Sequence, residues 1–142
     1  MKRFVASGLL CAAVVLGATA CSSDDSTPQE EATEAAAELC TNLNELKADS
    51  AKLKALDPST ATKDQLKEAH DAVQEDWSNV KENAAAMKEA ERNAVTSAAE
   101  DLKKAYEDLP GDTTGQQAVT QLQPQIQTLD QSVLRASTSL RC

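Results

Sequence analysis

Apolar residues recur along this chain at alternating intervals of three and four, the spacing that gathers side chains on one face of a helix. A first run reads Ala32, Ala36, Leu39, Leu43, Leu46, Ser50, Leu53, and a last one Val119, Leu122, Ile126, Leu129, Val133, Ala136, Leu140. Between them lies a longer seam from Leu66, His70, Val73, Trp77 and Val80 through Ala84, Met87, Glu91, Ala94, Ala98, Leu102 and Ala105 to Leu109. Each run begins at a threonine followed three residues later by Glu or Gln: Thr27 with Glu30, Thr62 with Gln65, Thr114 with Gln117. That pairing is a capping box, in which the two side chains satisfy backbone N–H groups that a helix start leaves open. Pro28 adds a residue suited to a first turn. The pattern predicts three helices, at about 28–57, 62–109 and 114–141.

A period near 3.5 predicts coiled-coil-like packing, and short connections predict antiparallel neighbours. The expected fold is therefore all-α: an antiparallel three-helix bundle over residues 28–142 with a long central helix. At 1.5 Å per residue that central helix would span roughly 70 Å against about 40 to 45 Å for its partners. A four-helix alternative would break it between Asn83 and Asn93, but Ala84-Ala85-Ala86-Met87-Lys88-Glu89-Ala90 holds no Gly or Pro and favours helix. Reflecting the chain about its two turns puts Cys40 opposite residue 79 and Cys142 opposite residue 81, which predicts a disulfide beside Val80 and Trp77. Exposed-face pairs are expected between Lys67 and Asp71, Glu100 and Lys104, and Lys103 and Glu107. Pro124, inside the last run, predicts a kink or break near Leu122 to Pro124.

The first twenty residues follow another logic. Met1, Lys2 and Arg3 precede an uncharged stretch from Phe4 to Leu16, which has the length and flanks of a secretory signal rather than a membrane span. It ends in Ala18-Thr19-Ala20-Cys21, where two cleavages fit: an ordinary A-x-A cut, giving a freely secreted protein, or a lipoprotein cut that leaves Cys21 as the new N-terminus. The small residues before Cys21 resemble a bacterial lipobox, although Ala18 stands where Leu is usual and Leu16 lies two residues too early. Cysteine parity favours lipidation. Cys11 leaves with the signal, and in an oxidising compartment Cys21, Cys40 and Cys142 would otherwise include one unpaired thiol. Ser22 to Thr27 are polar and suit a flexible tether.

Lys2 and Arg3 account for two of the 14 basic residues and none of the 23 acids, so the exported part carries −11 rather than the whole chain's −9. With Trp77 and Tyr106 as its only aromatics, this acidic chain is a poor match for nucleic acid, which demands phosphate neutralisation and stacking. Glu30, Glu34 and Glu38 form an i,i+4 ladder that reads as a solvated helix face, since calcium requires oxygens converging from a turning loop. His70 is the sole histidine. It has no nucleophile on an adjacent turn, and Lys67 occupies the place a Glu-x-x-His metal motif needs, so it reads as a seam histidine able to titrate. No catalytic residue, metal site or cofactor is assigned.

In its lipobox-like site, acidic Ser/Thr tether and terminal Cys142, the chain resembles the small helical lipoproteins of unknown function in Gram-positive, especially actinobacterial, envelopes. The resemblance implies lipid on Cys21 and display on the outer face of the cell membrane. The leading expectation is a non-enzymatic interaction or structural module with an envelope protein partner and a capacity for self-association through its Ala-rich thin end. The alternative is a protein binding a small molecule, lipid or cation between helices, which predicts a cavity near Trp77 and Met87.

Overall fold

The structure, a computed structural model, describes residues 28–142. The expected signal peptide (1–20), the lipidation candidate Cys21, the tether to Thr27 and the cap at Thr27 lie outside the described residues. Within them the chain is all-helical: α1 (Pro28–Lys54), α2 (Lys63–Glu82), α3 (Glu89–Glu107) and α4 (Gly115–Leu140), with a short 3₁₀ turn at Ala84–Ala86. The capping boxes at Thr62 and Thr114 are both formed, each threonine accepting from the backbone N–H of the glutamine that reaches back to it.

The expected long central helix is not there. Helix α2 stops at Asn83, the 3₁₀ turn follows, and Met87 and Lys88 are extended before α3 begins. The unbroken helix fails on the balance of burial against propensity. A continuous helix of this length would run far past the ends of α1 and α4, leaving its second half half-covered. Breaking it forfeits a few tenths of a kcal/mol per residue of helix preference, while each large apolar side chain buried returns about 1.5 to 3 kcal/mol. Once folded back, α3 packs on α4 and buries Val95, Ala98, Ala99 and Leu102, while Ala84 and Met87 tuck in at the break itself. The expected seam holds on both sides of the break at Ala84, Met87, Ala98 and Leu102, and departs from expectation at one step, where Val95 is buried and Ala94 exposed. On the other two helices the expected seams hold from Leu39 to Leu53 and from Val119 to Ala136.

Contacts between distant residues fix how the helices lie. Helix α1 packs on both α2 and α4. Cys40 is bonded to Cys142 with 5.4 Å between their Cα atoms, and Lys54 Nζ lies 3.0 Å from Asp130 Oδ2, two points at which α1 is held to the C-terminal helix and its end. Asn42 Nδ2 donates to the Asn79 carbonyl at 3.1 Å, which puts the disulfide at the α2 level that the sequence indicated. Lys63 Nζ donates to the Gly111 carbonyl at 2.7 Å, bringing the end of α3 beside the start of α2.

Of the kink or break expected near Leu122 to Pro124, the break does not occur, since α4 runs through it. Pro124 and Thr120, whose carbonyl loses its intrahelical donor, are both exposed, so water can replace the missing bond, while Leu122 and Ile126 are buried on the opposite face. At its far end α4 closes in a Schellman-type turn. Arg141 is left-handed at φ 62°, and the Cys142 N–H donates to Ser137 O, which turns Cys142 toward α1.

Two predictions follow from this packing. A Cβ on Gly115 would collide with the Ala61 carbonyl and with Thr62, whereas one on Gly111 meets nothing. Gly115→Ala should therefore cost about 1 to 3 kcal/mol in urea unfolding, with Gly111→Ala much closer to neutral; equal effects would refute the close approach. The disulfide spans 102 residues of sequence. In the chain-entropy model such a closure is worth up to about 4.7 kcal/mol, so reduction should lower the thermal midpoint by more than 10 °C, and an unchanged midpoint would show that helix packing alone sets stability.

A candidate binding groove between the second and third helices

Helices α2 and α3 are the least intimately packed of the neighbouring pairs, and an open groove of about 520 Å³ lies between them. Its α2 wall carries His70, Gln74, Trp77 and Lys81, and its α3 wall Ala99, Glu100, Lys103 and Tyr106. The helical repeat explains the first set, since positions 70, 74, 77 and 81 stack on one face. The second set depends on the break after α2, which alone brings residues 99–107 alongside.

His70 and Tyr106 stack across the groove with ring centroids 3.8 Å apart and planes inclined by 10°. The two rings are stacked nearly parallel, and the pair joins the two helices where other contacts are sparse. Trp77 is 4% exposed, and Lys81 Nζ sits 5.8 Å from its ring centroid, within cation–π range. The chain has one Trp, one Tyr and one His, and all three line this groove.

His70 occupies the seam position assigned to it and is 5% exposed. Neither ring nitrogen has a hydrogen-bond partner; the nearest carboxylate, Asp71 Oδ1, stands 3.6 Å from Nδ1. Burial pushes the imidazole below its usual range, and Asp71 and Glu107 pull weakly the other way. The Gln74 amide nitrogen is likewise buried and unpartnered. Around the rim Lys67 pairs with Asp71, and Lys103 lies 3.8 Å from Glu107, as expected; Lys104 instead pairs with Asp108 at 2.7 Å. Glu100 is thereby left without an ion partner among the described residues, and so is Lys81.

Among the described residues no group of His, Cys, Asp and Glu could hold a metal ion, and no helix is long and apolar enough to cross a membrane. Glu30, Glu34 and Glu38 are exposed on the first turns of α1. Met87, expected near a cavity, plugs the core at the break instead of lining the groove. The sequence singled out His70 and Trp77 but gave no reason to join them to Tyr106, because only the tertiary reversal does so. No family model matches the chain, and no curated protein or solved structure matches it.

A second polar cluster lies between α1 and α2. Burial, reinforced by Asp49, Glu45 and Glu75, pushes the Asp76 carboxyl up to about 6. A raised carboxyl favours the protonated folded state, so its stabilisation is complete below the unfolded value and is lost as the pH rises through about 6. Allowing for solvent screening, Asp76→Asn should raise stability at pH 7.5 by about 1 kcal/mol, or roughly 3 to 6 °C. That advantage should vanish by about pH 4, near the ordinary carboxylate value. His70 has the opposite slope, because its depressed value gives stability that is lost on acidification, but it is common to both proteins and cancels in the comparison. A difference independent of pH would show that Asp76 is not the group responsible.

Proposed function

We propose that this chain is an exported lipoprotein, anchored by lipid on Cys21 to the outer face of the cell membrane, whose antiparallel helical bundle works as a non-enzymatic binding module of the envelope. The observation that carries the reading is the bond between Cys40 and Cys142. A disulfide that closes almost the whole folded domain belongs to an oxidising compartment, and it takes up both domain cysteines. Cys21 is then the only cysteine after the signal-like segment with no use inside the domain, which is what a lipid-bearing residue requires. The twelve residues of α1 before Cys40 lie beyond the level of the staple and are mostly exposed, with four acids in this stretch. They continue the tether as a stiff, acidic stalk that keeps the bundle off an anionic membrane surface.

A second reading, binding of a small ligand between helices, is favoured by one specific observation: the gathering of Trp77, Tyr106 and His70 on a single groove whose buried polar atoms are unpartnered. The two readings are compatible, since a tethered module can display a ligand site.

Mass spectrometry of the N-terminal peptide from membrane-extracted native protein tests the anchor. Expected is a diacylglyceryl-modified Cys21, with Cys21→Ser released to the medium. An unmodified N-terminus, or equal membrane retention of Cys21→Ser, would overturn the anchor and leave a secreted protein.

A further inference from the structure

We infer that the groove between α2 and α3 binds a small organic zwitterion, an ammonium and a carboxylate held on one short frame, as in an amino acid or dipeptide. This rests on the ligand-binding reading above and specifies its chemistry.

The case starts from which charges the fold leaves uncompensated. Along the groove the ion pairs Lys67–Asp71 and Lys103–Glu107 neutralise themselves within their own helices. Two lining residues remain, one on each wall: Lys81 on α2 and Glu100 on α3. Neither makes an ion pair with any described residue. A groove lined by one cation and one anion that lack ion partners is complementary to a ligand carrying both signs, and each half of the ligand would recover attraction that water now screens. A ligand with one charge would satisfy one wall and meet repulsion or indifference at the other.

Hydrogen-bonding capacity points the same way. The Gln74 amide N–H₂ and the His70 ring nitrogens are buried without partners. Such atoms are costly to leave unsatisfied: a ligand carboxylate can accept from the Gln74 amide and from the single N–H of the neutral His70 ring, and a ligand N–H can donate to the other ring nitrogen. The groove volume, about 520 Å³, falls in the range of small-molecule sites. Its lining is partly aromatic, with Lys81 standing over Trp77, which sets the cationic end of the groove there and leaves the ligand ammonium to Glu100. Opposite Trp77 the α3 wall presents Ala99, a side chain small enough to leave the space open.

The chain's single tryptophan makes the test direct, because intrinsic emission reports on this groove alone. The full exported chain would be titrated with L-alanyl-L-alanine, and separately with acetate and methylammonium at matched ionic strength, following Trp77 emission and heat. The expected result is a saturable change with the dipeptide at a Kd of about 1 mM or tighter, and at least tenfold weaker responses to the singly charged compounds. Glu100→Gln and Lys81→Met should each weaken dipeptide binding about tenfold or more with unchanged helicity, while Lys47→Met, on α1, leaves it intact. Vesicles of phosphatidylethanolamine against phosphatidylglycerol separate a lipid headgroup from a free zwitterion: a response confined to the former assigns the same chemistry to a headgroup. Equal binding of acetate or methylammonium, or full retention in Glu100→Gln, would overturn the inference. If zwitterions are silent but a fatty acid or a divalent cation shifts Trp77, the ligand-binding reading stands and this inference falls; silence from every compound removes both.

Discussion

Burial of α3 against α4 is the interaction on which the remaining structure rests. Val95, Ala98, Ala99 and Leu102 gain cover only if the chain reverses after α2, and that gain pays for an irregular stretch at Asn83–Lys88 that no Gly or Pro imposes. Everything specific about the molecule follows from the reversal. It brings Tyr106 to His70 and Gly111 to Lys63, and with them the two walls of the groove. It also matches the length of α2 and α3 to the span that α1 and α4 can cover.

The disulfide plays a different part. It ties the middle of α1 to the chain's last residue, so that the two helices framing the bundle cannot separate even when α2 and α3 loosen. The Schellman-type end at Arg141 supplies the aim, at the modest cost of one non-glycine residue in the left-handed region. A small domain with only two aromatic side chains has a limited core, and covalent closure of this kind offsets that deficit. The same closure leaves room for sites the core does not need: unpartnered polar atoms at His70 and Gln74, and a carboxyl at Asp76 held near 6. These are local costs carried by a fold stabilised elsewhere.

The groove has a plain structural use as well as a proposed functional one. The His70–Tyr106 stack fills part of a gap that two helices with small facing residues would leave, and Trp77 seals the core beneath it. What packing does not require is the charge arrangement. Lys104 turns to Asp108 rather than Glu100, and Lys81 lies over Trp77 rather than against an acid, so each wall keeps one unneutralised charge.

The sequence by itself determined what nearest neighbours along the chain decide. The helical character, the capping boxes at Thr62 and Thr114 and the seams of α1 and α4 all depend on residues a few positions apart; the pairing of Cys40 with Cys142 was also foreseen, but from an unbroken central helix that the fold does not contain. The break after Glu82 was not legible, because the three-and-four spacing runs on through Ala84 and Met87 and the Ala-rich stretch prefers helix. Its resolution belongs to the tertiary structure, since the energy that breaks the helix comes from α4, a partner more than twenty residues away in sequence. The uninterrupted course of α4 through Pro124 was decided in the same way, by which face met water and which met the core. The groove could not be read at all, because its two walls become neighbours only after that reversal.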